Sequence, residues 1–81
     1  MSEEFIVYVQ LLGEGTTSYR PVPAIEDQDG VCVLGGIEVF DENVETWEFK
    51  PGARVLYELR ELHEGLSGEL LPVATSFAEP R

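Results

Sequence analysis

The sequence predicts an all-β domain, a small five- to six-stranded, partly open barrel. Three observations carry that expectation. The stretch EFIVYVQLL, residues 4–12, alternates Phe5, Val7, Val9 and Leu11 on one side in a run rich in β-branched and aromatic residues. Short apolar runs are then separated by glycine and proline at 13–15, 35–36 and 50–52. The one helix-like pattern, Val55, Leu59, Leu62 and Leu66, is short and runs into Gly65 and Gly68.

Taken in order, 4–12 reads as a buried first strand, and Gly13, Gly15, Thr16, Thr17 and Ser18 as a loop. Residues 19–26 contain Pro21 and Pro23, two apart, so both missing donors fall on one side of an extended strand. That pattern predicts a strand laddering through Val22 and Ala24 at a sheet edge. Asp27, Gln28, Asp29 and Gly30 form a turn, followed by VCVL at 31–34 and IEVF at 37–40 as two short strands. Between them, Gly35-Gly36 suits either a tight hairpin or a bulge or sharp bend. A polar stretch at 41–46 precedes Trp47 and Phe49, which alternate, and Lys50-Pro51-Gly52-Ala53 fits a type II turn. Tyr57 joins Val55 and Leu59 in strand alternation, so 53–64 is read as strand over helix; 65–68 then acts as a hairpin loop feeding a last strand, ELLPVATSF. Ala78 to Arg81 reads as a loose tail.

Eighty-one residues suit one domain, with its core between about 5 and 77. Sixteen acidic against five basic residues give a formal charge of −11, which disfavours direct nucleic-acid binding. A single cysteine, Cys32, and a Met-Ser-Glu-Glu start without a basic, apolar leader point to the cytoplasm. The longest apolar run, Phe5 to Val9, falls far short of the roughly 20 residues of a membrane-spanning helix.

The residue types predict no catalytic, cofactor or metal site. Cys32 lies in an apolar strand and His63 in a polar stretch, with no third group to orient a base. Zinc needs about four Cys or His ligands and the chain has two. Asp27, Asp29 and Gly30 imitate the middle of a calcium loop whose first and last ligand positions hold Ile25 and Gly36. Gly13-Glu14-Gly15 lacks the lysine of a phosphate loop and carries a repelling carboxylate.

Two constellations remain as candidate binding residues. Between Arg20 and Lys50 there is no base, yet half of all the acids fall there, including Asp41, Glu42 and Glu45. Such a lopsided charge serves solubility or docks a basic protein. Tyr19, Arg20 and Trp47 form the second, with Arg20 pairing to Glu14 or Glu48 and a neighbouring aromatic covering it. The expected activity is that of a non-catalytic protein-interaction module using an acidic face or an exposed β-edge, its partner a basic protein or a second copy. The alternative is an inhibitor or immunity-type protein whose carboxylates mimic nucleic acid on a basic partner.

VYVQLLGEGT from Val7 to Thr16, Arg20-Pro21-Val22 with Ala24, and WEFKPG from Trp47 to Gly52 together resemble a group of small bacterial proteins. In that group a strand ending in Leu-Leu, a Glu-Gly-Thr turn, an aromatic-Arg-Pro-Val strand and a Trp-Glu-Phe-x-Pro-Gly turn recur in this order. The resemblance spans residues 7 to 74 and implies β structure from residue 53 onward. It implies no particular chemistry. Tyr19 stands where the group has tryptophan, and residues 36–44 add length before Glu45. The strand number and turn chemistry make the barrel SH3-like by analogy.

With carboxylates repelling one another, the thermal midpoint at neutral pH should rise as salt is raised to moderate concentration. A scanning-calorimetry series in sodium chloride checks this, and a flat response contradicts it.

Overall fold

A computed structural model describes residues 4–13, 15, 17–38, 40–41, 43–61 and 70–78. These form six strands and no helix: β1 (Glu4–Leu12), β2 (Ser18–Gln28), β3 (Val31–Leu34), β4 (Thr46–Trp47), β5 (Arg54–Glu61) and β6 (Leu70–Phe77). All belong to one sheet in the order β2-β3-β5-β6-β1-β4, and a further β1–β2 pairing closes a ring through five strands. This architecture is compatible with the small, partly open barrel that the sequence predicts. No helix among the described residues is long and apolar enough to cross a membrane.

β1 is the strand on which closure depends. It runs antiparallel to β2 from Glu4 opposite Ile25 to Leu11 opposite Ser18, parallel to β6 at Tyr8 and Val73, and antiparallel to β4 at Leu11 and Trp47. Its alternation works as expected: Val7 and Val9 are fully buried, and Phe5 and Leu11 pack against the same core. Val22, Ala24, Cys32, Leu34 and Val55 supply the facing side chains, and Trp47 is the largest buried one.

β2 turns into β3 through Asp29 and Gly30, whose φ of 77° suits glycine. A register shift between Glu26 and Gln28 leaves Asp27 without an opposite residue, so the strand bends as it enters the turn. The placement of β2 corrects the expectation of an edge strand. At Ala24 and Ile25 it is flanked by β3 as well as β1, and from Glu26 to Gln28 by β3 alone. Only its first half, where both prolines stand, has β1 as its single strand neighbour, so the missing donors cost no ladder bond there.

The IEVF strand is not formed. Ile37 and Glu38 lie in a turn, Phe40 is irregular, and Val39 is outside the described residues. Gly35-Gly36 is a sharp bend and no hairpin: Gly35 N–H donates to Pro23 O at 2.7 Å, and Gly36 O accepts from Phe40 N at 3.0 Å, which winds the chain away from β3. Gly36 has φ of 86° and sits against the Val22 and Trp47 side chains. The bulky run that looked like a strand is thereby spent on a loop.

Beyond Trp47, Glu48 N–H extends the pairing to Gln10 O at 2.9 Å, and Phe49 is buried with Trp47. The Lys50–Ala53 turn forms as read: Gly52 has φ of 91° and Ala53 N–H reaches Lys50 O at 3.1 Å. It docks on the end of β3 through Gly52 N–H to Leu34 O at 2.7 Å and Leu34 N–H to Ala53 O at 2.9 Å. Residues 54–61 are strand as favoured, because Val55 and Tyr57 face the core in period two and β6 lies antiparallel beside them. The hairpin loop expected at 65–68 and residues 79–81 lie outside the described residues; Ala78 N–H still donates to Arg54 O at 2.9 Å.

Replacing Gly36 with alanine forces a Cβ to 3.3 Å from Val22 Cγ1 in a left-handed backbone, whereas at Gly52 the same change meets open space. Gly36→Ala should therefore cost about 2–3 kcal/mol and Gly52→Ala about 1 kcal/mol, read from chemical-denaturation midpoints. Equal costs would contradict the packing at Gly36.

Candidate functional site

The irregular segment between β3 and β4 is tied to the sheet by one carboxylate. Glu45 Oε1 accepts from Arg20 Nε at 3.0 Å and from the Trp47 indole Nε1–H at 3.0 Å, while Glu45 Oε2 is bonded by Arg20 Nη2. The sequence places these three partners by simple rules. Arg20 shares the inward parity of Val22 and Ala24 on β2, where it reaches the end of the core. Trp47 is held by its pairing with Leu11, its ring packed edge-on against Phe40 with centroids 4.8 Å apart. A fork-shaped guanidinium suits a carboxylate from two sides, and the indole N–H fills a further lone pair.

Electrostatics follow from the contacts. Arg20 first, then the Trp47 N–H, hold the Glu45 carboxyl below the usual carboxylate range. The same hydrogen bond raises Arg20 above its ordinary value. Arg20 is thus paired with Glu45, not with Glu48; Glu14 is outside the described residues. The acid that anchors the arginine stands two residues before the buried tryptophan and also accepts from its indole N–H.

The remaining candidates separate. Tyr19 is half-buried on the opposite face of β2 from Arg20, across from Gln10, so it does not cover the guanidinium. Asp41 is exposed and organises a turn: its Oδ1 accepts from Asn43 N–H, and its carbonyl accepts from Val44 and Glu45 N–H, each at 2.9 Å. Glu42 lies outside the described residues. Glu38, not singled out in the sequence, and Glu48, read there as a partner of Arg20, are exposed on the same segment. Their signal is position alone, since each stands beside a residue that the fold spends on the Gly36 bend or on the Trp47 anchor.

Two other polar groups sit at the far side of the core. The Tyr57 hydroxyl donates to Glu26 Oε2 at 3.2 Å, its ring 5.2 Å from Phe5. Burial, aided by the Glu26 charge, pushes the Cys32 thiol up to about 11, so it is protonated at neutral pH. Among the described residues, no three of His, Cys, Asp and Glu gather as ligands for a metal ion.

Compared with known families, curated proteins and solved structures, the chain matches none of them. The candidate surface therefore rests on its own geometry: a loop fixed by an Arg20–Glu45–Trp47 latch, which holds exposed carboxylates beside the sheet.

A carboxyl whose folded pKa is depressed stabilises the fold above its unfolded pKa, about 4.3, and loses that contribution as pH falls through the lower folded value. With Arg20 40 % exposed, water competes, and Glu45→Gln should cost about 1 kcal/mol at neutral pH. The gap in thermal midpoint between Glu45→Gln and the natural chain should be widest above about pH 5 and narrow as pH falls below the ordinary carboxylate range. A gap independent of pH contradicts the latch.

Proposed function

We propose that this protein is a non-catalytic interaction module that recruits a basic protein through the acidic surface between β3 and β5. One observation supports it above others. Glu38, Asp41 and Glu48 are exposed on this segment, and among the described residues none of the three forms an ion pair. Arg20, the base nearest the stretch on the N-terminal side, is already engaged by Glu45. Uncompensated carboxylates on a pinned loop lose little side-chain and backbone freedom on docking, and their field speeds encounter with a cationic surface.

Strand addition is the weaker of the two interaction modes. Among the described residues, the segments with a single strand neighbour include β4, two residues long, the proline half of β2, and the end of β5, where Glu58, Arg60 and Glu61 put charges along the edge. A short strand and a strand lacking donors are poor templates for another chain.

The test is capture from the source organism with the natural chain and with Glu38→Lys/Asp41→Lys/Glu48→Lys as baits, followed by titration of the purified captured protein. Glu45 is left intact, because reversing it would break the latch and report on folding. The reading expects the triple variant to lose about tenfold or more in affinity and the natural chain to weaken steeply with salt. Salt-insensitive binding, or equal binding by both baits, overturns it.

A further inference from the structure

A second surface adjoins the acidic segment, and it is nearly uncharged. Alternation along β1 turns Ile6 and Tyr8 away from the core, opposite Pro23 and Pro21 of β2, and Ile25 faces Val33 of β3 across the next ladder. These six side chains form one patch on the outer face of three strands. Ile6, Ile25 and Val33 are 45, 49 and 37 % exposed, in a chain with a formal charge of −11. Single exposed apolar residues are ordinary, but directly opposed pairs across three strands mark an interaction face.

The surroundings say what fits there. Glu4 lies opposite Ile25 on the same face, and the Gly35 bond to Pro23 O carries the chain directly to exposed Ile37 and Glu38. Arg20, Arg54 and Arg60 are each held by a carboxylate of their own chain, Glu45, Asp27 and Glu58. A second copy would meet this acidic rim with more carboxylates and with arginines already taken, so the cations must come from a different protein. The occupant cannot be an added strand either, since β2 is flanked by β1 and Pro21 and Pro23 withhold donors on the other side. It must lie over the face. Three strands span about 10 Å, the diameter of one helix, and the stretch from Pro21 to Ile25 is about 13 Å, or roughly nine helical residues.

We propose that the outer face of β1, β2 and β3 docks an amphipathic basic helix of a partner protein. Its apolar stripe covers Ile6, Tyr8, Pro21, Pro23, Ile25 and Val33, while its lysines or arginines meet the acids alongside. The inference rests on the reading that this protein recruits a basic partner, and it supplies the apolar half of that contact.

The probe is a leucine–lysine peptide of about 18 residues with leucines at helical spacing, set against a shuffled isomer of identical composition. Titrations followed by amide chemical shifts should show the amphipathic peptide perturbing Ile6, Tyr8, Ile25 and Val33. Ile25→Ser and Val33→Ser should each weaken it by about tenfold or more at an unchanged thermal midpoint. Equal affinity for the shuffled isomer, or shifts confined to residues 38–48, overturns this inference and leaves the acidic-surface reading standing. Binding of neither peptide overturns both. A concentration-dependent dimer in sedimentation that Ile25→Ser dissolves identifies a second copy as the occupant and also overturns the inference.

Discussion

β1 is asked to pair with three strands at once, and the rest of the sheet depends on its ability to do so. One flank carries the eight-residue ladder to β2, while the other is shared between β6 near Tyr8 and β4 at Leu11. A strand in that position keeps both edges hydrogen-bonded, and its alternation sends one set of side chains into the core and the other to the outer face. The run from Phe5 to Leu12 provides them: Val7 and Val9 fill the interior, and Ile6 and Tyr8 stand outside. Closing the ring by a single parallel bridge between Tyr8 and Val73 is economical for so short a chain, and it leaves β4 as an appendage to the ring.

Charge shapes the molecule in a way complementary to the core. Each of the three arginines above is satisfied by its own chain's carboxylate, two of them across long sequence separations, Arg20 to Glu45 and Arg54 to Asp27. The first ties an irregular segment to β2 and the second ties β5 to β2, and each pair sets a carboxylate against an arginine's positive charge. The surface left over is anionic with an apolar interruption on β1, β2 and β3. Surfaces of that kind select for partners of opposite sign and select against copies of themselves.

The turns and the strand–helix choice at 53–61 were legible because they depend on near neighbours. Proline then glycine dictates the Lys50–Ala53 turn, and alternation with antiparallel company decides residues 54–61. The partner of Arg20 was not legible, since Glu14, Glu45 and Glu48 are equally good acids until a fold brings one within reach. The run 37–40 misled for a related reason: its composition favours strand, but after the Gly36 bend, packed against Val22 and Trp47, Ile37, Glu38 and Phe40 pair with no strand. The apolar outer face was written in the sequence as Ile6, Tyr8 and Ile25 at positions of the outward parity, yet only the registers show them to be opposed across strands.

By itself the sequence determined an all-β chain, its first strand, its glycine and proline turns and its excess of acid, because those follow from local conformational preference and composition. Only the tertiary structure decided which carboxylate latches Arg20, that β2 passes from β1 to β3 with both beside it at Ala24 and Ile25, and that Gly35-Gly36 bends the chain into a loop. Those outcomes depend on contacts between residues as far apart as 25 positions, Arg20 and Glu45, which no local preference encodes.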